Sequence, residues 1–463
     1  MADRAAARAG RRRWTDGCCG NDRGVVAEAD SALRRGKATR VAVQGCQVGR
    51  ISMGARKAHS LTGRVYDPRN LARAWQQVKK NKGAGGVDGV TITRFEQDRD
   101  HYLDVLHRRL KSGRYRPRPV KRVEIDKPGS TKKRPLGIPT VMDRVCQQAL
   151  VQVLGPIFEP TFADTSFGFR KGRSTHQAMR RIWGQLQRGG CWIVDADIAD
   201  FFSTLDHEIL LDRVAGRVAD GKVLSLLRQM LTAGVLRDGI YERTVAGTPQ
   251  GGVASPLLSN IYLHVFDERM AQQGFALTRY ADDWVIVCRS REEAERALAS
   301  ARAVLEDDLG LQLHPDKTRI CHITAGFEFL GYKIGRGKGL RYKSGGPGLY
   351  AVPSDRSIRR FKDKVRTATN RRNPKDLRGM LAELNPIIRG WGMYYRRAHV
   401  RRLFHRLDGW IVRRVRSFVT KRWRNTAWRW LPESKLYGEL GLVHLLRLIP
   451  SMQDYYRQKG YVR

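Results

Sequence analysis

The sequence predicts a mixed α+β domain built on an antiparallel sheet, preceded by a helical lead-in and followed by a basic helical region. Three observations predict it. The run CWIVDADI is a continuous apolar strand interrupted only by carboxylates, and LTRYADDWVIVCRS holds two strand-like runs that can close into a hairpin. Around them, MDRVCQQALVQVLGPIF, LSNIYLHVFDERM and REEAERALASARAVLEDDLGL carry apolar residues at helical spacing. From about Pro353 onward only the helical period remains.

Residues 1–64 are rich in Arg, Gly and Ala with no sustained apolar face, which predicts a loosely ordered basic arm. The start is Ala and Arg rich, but Asp3 and Asp16 argue against an organelle transit peptide. A helix follows from Pro68, with Leu71, Ala74, Trp75 and Val78 on one face, and stops at the glycines of NKGAGGVDG. RFEQDRDHYLDVLHRRLKSGRY predicts a second helix. In YRPRPVKRVEIDKPGSTKKRPLGIP short strands alternate with Pro and Gly turns. The mixed region closes on FEFLGYKI, expected as one strand, and the Gly- and Lys-rich stretch from Gly335 to Gly348 is expected as a linker. No internal repeat is visible.

The chain has 463 residues, enough for two to four domains, and 41% of them are hydrophobic, ordinary for a folded protein. With 87 Lys and Arg against 45 Asp and Glu, its formal net charge is +42. A surface that basic calls for a polyanionic partner, nucleic acid first and an anionic membrane surface second. No apolar run is long enough to span a bilayer, so no membrane partner is expected. Seven scattered cysteines lack zinc-ligand spacing and read as reduced thiols of a cytoplasmic protein. Between Trp391 and Trp430 twelve Lys or Arg accompany one Asp, with five tryptophans interleaved. The bland reading is a solvated helix face with a few core aromatics. The overall charge favours the other, in which cations neutralise phosphates and flat rings stack on unpaired bases.

The minority carboxylates carry the chemistry. Asp195 and Asp197 lie two apart in a strand and share a face, where an apolar setting makes them costly without a partner. An edge strand with one wet face would also explain them. Asp282 and Asp283 would alternate in a regular strand, but a tight turn at their position lets both project from the hairpin tip. An Asp-Asp turn alone means little, since Asp favours turns. Together with a strand carboxylate followed by aromatics, in so basic a chain, it points to a two-Mg²⁺ phosphoryl-transfer site, because hard oxygen ligands suit Mg²⁺.

RYADDWVIV resembles the Tyr-Ala-Asp-Asp motif of reverse transcriptases, and DADIADFF their first catalytic motif. RPLGIPTVMDRVCQQAL, SFGFRKGRSTHQAM, GTPQGGVASPLLSNIYL, LHPDKTRI and FEFLGYKI follow in the family's order, and LNPIIRGWGMYYRR is similar to a maturase-specific segment. From about Asp67 to Trp430 the chain resembles group II intron-encoded reverse transcriptase/maturases. The resemblance implies a right-hand polymerase, with fingers and palm over 65–340, then a helical thumb and maturase-specific region over 341–463. It implies RNA-directed DNA synthesis together with binding of a parent intron RNA, for splicing and insertion into a DNA target. The partners it implies are that RNA, an RNA template, a DNA primer and deoxynucleoside triphosphates, in a bacterial, nucleoid-associated setting.

The same resemblance implies roles for individual residues. Asp197, Asp282 and Asp283, with the backbone carbonyl of Ile198, would hold two Mg²⁺ ions. Phe202 would exclude a 2′-hydroxyl, and Pro249, Gln250, Gly251 and Gly252 would form a nucleotide-side turn. Lys133, Arg134, Arg144 and Lys317 would contact the triphosphate or template, although a surface salt bridge is a fair alternative for Arg144 and a solvated side chain for Lys317. Arg389, Trp391, Tyr394, Tyr395, Arg396, Arg397, Arg401 and Arg402 would face RNA. Ala199, Ser203, Lys171 and Trp284 depart from the family pattern, none of them a metal ligand. No Cys pairs with His of an HNH endonuclease follow the basic region, so second-strand cleavage is not expected. Two rivals stay open: a splicing cofactor whose polymerase site is idle, and a reverse transcriptase serving phage defence.

Overall fold

The computed structural model describes residues 57–126, 133–341, 347–421 and 427–450, except the side chains of 134, 338–341 and 347. The tryptophan at 423 and most of the arm expected over 1–64 lie outside the described residues. The arm's last residues do not behave as an arm. Leu61 and Val65 are buried in the core, and a short helix, Thr62–Tyr66, begins there. Thr62 donates from both its amide and its hydroxyl to Asp220, which ties this start to a distant helix cap.

The helical lead-in forms as its spacing dictates. Pro68–Asn81 starts on an Asp67 cap with Pro at the first position and buries Leu71, Ala74, Trp75 and Val78. The second expected helix is two, Ile92–Gln97 and Arg99–Lys111, broken at Asp98, with Phe95 stacked between Trp75 and Tyr102. Strands β1 (Val120–Asp126) and β2 (Lys133–Ile138) form an antiparallel hairpin. Two short strands with no distinct signal in the sequence, β4 (Val235–Arg237) and β5 (Ile240–Glu242), extend that sheet in the order β2-β1-β4-β5.

The central sheet is antiparallel throughout, in the order β6-β7-β3-β8, from β3 (Trp192–Asp197), β6 (Leu277–Tyr280), β7 (Asp283–Cys288) and β8 (Arg319–His322). Period-2 alternation sends its side chains to two cores. Val194, Ala196, Trp284, Ile286 and Cys288 join the core shared with the lead-in helices and the Ser255–Gln272 helix. Ile193, Val285 and Val287 join the core shared with the Thr175–Gln187 helix and the C-terminal helices. Both faces are covered, which explains why these strands read as continuous apolar runs.

Two expectations are corrected in the next stretch. FEFLGYKI is a hairpin, with β9 (Phe327–Phe329) and β10 (Tyr332–Arg341) joined at Leu330 and Gly331, both with positive φ. The described residues of Gly335 to Gly348 are strand and not linker, because β10 pairs with β11 (Pro347–Pro353), and 342–346 lie outside the described residues. The glycines make room for a ring: a Cβ on Gly335 would lie 2.6 Å from the Tyr350 hydroxyl, directly across the ladder. The helices Asp355–Ala368, Leu377–Tyr395 and Arg401–Thr420 then form the basic region.

Candidate active site

β3 and β7 pair so that Asp197 lies directly opposite Asp283, and directly opposed residues of an antiparallel pair share a face. The hairpin turns through Ala281 and Asp282 alone, with Tyr280 paired to Asp283. Asp282 therefore sits in the turn beside the Asp197–Asp283 pair, as the sequence suggested, and Asp283 is already the first residue of its strand. Ala281 has φ of 60°, a left-handed conformation that a residue with a Cβ adopts at some cost. It is 6% exposed and held from both sides.

Charge repulsion at this spot is severe. Loss of hydration, followed by the charges of Asp282, Asp197 and Asp195, raises the Asp283 carboxyl to about 7, with Lys317 opposing. Lys317 reaches across from the Pro315–Lys317 turn to pair with the Asp197 carboxylate. Asp195, on the same face, lies opposite Arg319 and pairs with it at 2.9 Å, so its charge is already matched. Burial still raises its pKa, against the pull of Arg319. Of the two strand carboxylates, Asp197 is the one left facing the turn.

The donor set suits a divalent cation. Ile198 forms an isolated bridge to Leu313 whose two hydrogen bonds use the Ala199 amide and the Asp197 carbonyl, so the Ile198 carbonyl accepts neither. Among the described residues no three His, Cys, Asp or Glu side chains close into a metal cage. A hard ion such as Mg²⁺ does not require one, since it keeps several waters and is commonly held through one or two carboxylates together with substrate phosphates.

Backbone bonds link the aromatic and glycine candidates to one another. Phe202, 9% exposed, lies edge-on to Phe201 in the short Phe201–Thr204 helix, with ring centroids 5.2 Å apart. Its carbonyl accepts from the Thr248 amide at 2.7 Å, which anchors the TPQGG turn. The Gln250 carbonyl accepts from the Gly137 amide of β2 at 2.8 Å. Gly251 has φ of 111°, and a Cβ there would lie 2.9 Å from the Gly137 carbonyl. The turn of Pro249, Gln250, Gly251 and Gly252 thus joins the β1-β2 hairpin to the Phe201–Thr204 helix because glycine permits the approach. Lys133 is exposed on that hairpin, 3.6 Å from Glu124. Arg134 lies in β2, paired with Ile125, and its side chain is outside the described residues.

Several candidates have other employment. Arg144 is buried and donates to the carbonyls of Lys82, at 3.5 Å, and Ala84. It holds the glycine-rich loop after the first long helix, which corrects the surface salt bridge offered as its alternative role. Trp391 is stacked on Phe361 at 4.3 Å and donates to the Ser357 hydroxyl. Tyr394 and Tyr395 donate to the carbonyls of Leu330 and Gly331, latching the Leu377–Tyr395 helix onto the β9-β10 turn. Tyr395 is buried in the core and Trp391 packs on Phe361 with its ring partly covered, whereas the half-buried Tyr394 lines an open groove with Arg396 and Arg397. Arg389, Arg397, Arg401 and Arg402 are exposed, and Arg396 is half-buried. Trp284, which departs from the family pattern, is buried against Phe266 on the sheet face away from the carboxylates.

What sequence reasoning missed is the support of the turn. Arg279 and Asp267 form an ion pair in which both side chains are 0% exposed. An Arg inside the apolar strand LTRY, and an Asp at helical spacing from the buried Asn260, Leu263 and Met270, were the signals. On the other side Gly168 abuts the tip, where a Cβ would lie 2.2 Å from the Ala281 nitrogen. Gly168→Ala is therefore expected to cost about 1–3 kcal/mol, the usual penalty of overpacking, read as a lower thermal midpoint.

The reverse transcriptase (RNA-dependent DNA polymerase) family profile matches residues 125–334, and the group II intron maturase-specific domain matches 358–436. Protein YkfC of Escherichia coli is 35% identical over 318 residues, 60% of this chain and 83% of YkfC. The group II intron-encoded protein LtrA of Lactococcus lactis is 31% identical over 327 residues, 56% of this chain and 54% of LtrA. A 91 kDa protein in the cob intron of Schizosaccharomyces pombe is 27% identical over 72% of this chain and 50% of its own length. The chain thus spans most of YkfC and about half of the other two.

Proposed function

The chain belongs to the group II intron-encoded reverse transcriptase/maturase family, and from that premise we propose that it extends a DNA primer on an RNA template at the Asp197, Asp282 and Asp283 site and binds its parent intron RNA for splicing and mobility. Its enzyme class is RNA-directed DNA polymerase. The observation that carries the reading is the cross-strand pair of Asp197 and Asp283 with Asp282 in the adjoining turn.

Polymerases of this class use divalent metal, and here two Mg²⁺ ions are proposed, held by the three carboxylates and the Ile198 carbonyl. Bound there, the ions would activate the primer 3′-hydroxyl and stabilise the leaving pyrophosphate. The remaining work belongs to the chain. Lys317 stands beside Asp197, where its charge can meet a phosphate oxygen. The Pro249–Gly252 turn and the Phe202 ring would frame the incoming nucleotide, the ring by its volume alone. Phe202→Val is expected to raise ribonucleotide incorporation relative to deoxynucleotide by about tenfold or more, measured as the ratio of kcat/KM values.

The maturase-specific domain implies binding of intron RNA. Supporting an RNA-binding face, an open groove of about 510 Å³ between the Thr175–Gln187 and Leu377–Tyr395 helices is lined by His176, Arg180, Arg396 and Arg397. No helix among the described residues is long and apolar enough to cross a membrane. A cytoplasmic, nucleoid-associated setting is part of the proposal. Primer extension run beside a splicing assay on the intron RNA tests both halves. Splicing without extension would favour the cofactor reading, and extension without splicing would favour a separate host role.

A further inference from the structure

We propose that Arg279 is a positioning residue for the carboxylate-bearing turn, fixing the Ala281 carbonyl and with it the backbone that carries Asp282 and Asp283 toward the metal site. The inference rests on the polymerase reading of that site.

A guanidinium has five N–H donors, and here each has a partner. Nε and one Nη2 hydrogen go to the two oxygens of Asp267, the former at 2.7 Å. The other Nη2 hydrogen goes to the Ser166 hydroxyl at 3.0 Å. Nη1 gives one hydrogen to the Asn260 side-chain oxygen at 3.2 Å and the last to the Ala281 carbonyl at 2.8 Å. Four of the five bonds brace the side chain, and the fifth reaches the turn.

The brace is itself closed. Asn260 donates onward to the Gly168 carbonyl at 3.0 Å, and Gly168 is the residue pressed against the Ala281 nitrogen. Backbone bonds from Arg279 to Thr165 and from Phe167 to Arg279 zip that segment onto the edge of β6. Ala281 is therefore gripped at its nitrogen by sterics and at its carbonyl by a hydrogen bond, in a left-handed conformation that persists only where its surroundings over-determine it. A lysine could match the Asp267 charge but not this geometry, because its donors radiate from a single nitrogen.

A purely structural role would make the same pair a fastener of the core, and the two roles separate experimentally. Replacing a buried ion pair by apolar side chains of similar size often leaves a fold as stable as before. Arg279→Met combined with Asp267→Leu keeps the core filled and removes the bond to the turn together with those to Ser166 and Asn260, which keep a bond to each other at 3.4 Å. The expected result is a protein that melts near the wild-type temperature and binds template–primer normally. Its Mn²⁺ affinity by electron paramagnetic resonance, without substrate, and its kcat should each fall by about 10², the scale of a 1 Å misplacement. Amide exchange at 281–283 should quicken. A folded double variant with wild-type Mn²⁺ affinity and kcat would overturn the proposal.

Arg279→Lys covers the case in which the double variant fails to fold. It should show the same losses at smaller size, and wild-type values for both readouts would also overturn the proposal. Wild type and Asp283→Ala run alongside. If wild type does not extend primers, or Asp283→Ala does, the polymerase reading fails, while Mn²⁺ affinity and amide exchange still decide what Arg279 does.

Discussion

Asp283→Ala is expected to lower the rate of nucleotide addition about 10³-fold or more, the several kcal/mol that metal-borne charge stabilisation supplies. Template–primer binding should survive, because that affinity comes from phosphate contacts elsewhere. The variant should also be at least as stable as wild type. Asp283 is opposed across the ladder by Asp197, and loss of hydration, followed by the charges of Asp282, Asp197 and Asp195, raises its carboxyl to about 7. Removing a carboxylate from such a crowd relieves repulsion, so a thermal melt should show an unchanged or higher midpoint while single-turnover extension collapses. That combination marks a residue kept for chemistry at a cost to the fold. A melt that fell together with activity would assign Asp283 to the fold instead.

The second large effect is on binding. With a formal net charge of +42 and Arg389, Arg397, Arg401 and Arg402 exposed in the C-terminal helical region, affinity for a template–primer duplex should be dominated by release of counterions. For six to ten phosphate contacts, raising salt from 50 to 200 mM should weaken binding by about 10³- to 10⁵-fold. Arg401→Gln and Arg402→Gln should each reduce the slope of log affinity against log salt by about one, if each meets a phosphate. They should weaken all sequences alike. Fluorescence anisotropy over a salt series measures both quantities, and a shallow slope would mean that this basic face turns away from the nucleic acid.

How much of this was legible in the sequence varied with the kind of residue. The strands at the site were, because CWIVDADI and LTRYADDWVIVCRS read as apolar runs with the carboxylates on one strand face and at a hairpin turn, whereas the pairing of Asp197 with Asp283 emerges only in the fold. Helices with one apolar stripe, such as Pro68–Asn81, were equally plain. Residues whose partners are backbone atoms of distant segments were not. Nothing in MDRVCQQ says that Arg144 will meet the carbonyls of Lys82 and Ala84. Composition misled at Gly335 to Gly348, where glycine serves a strand that has to pass the Tyr350 ring. Aromatic density alone did not show that Trp391, Tyr394 and Tyr395 bond the β9-β10 turn and the Ser357 hydroxyl. Arg279 stood in plain view inside an apolar strand, but its meaning depended on Asp267, Asn260 and Ser166 arriving from two other segments.

The central claim is that the three carboxylates make this chain an RNA-directed DNA polymerase. It is tested most directly by giving the wild-type protein a DNA primer annealed to an RNA template, with one complementary deoxynucleoside triphosphate and Mg²⁺. The account predicts addition of that nucleotide and not of mismatched ones, abolished by chelation and by Asp197→Asn. No addition under these conditions, or addition that persists in Asp197→Asn, would contradict it.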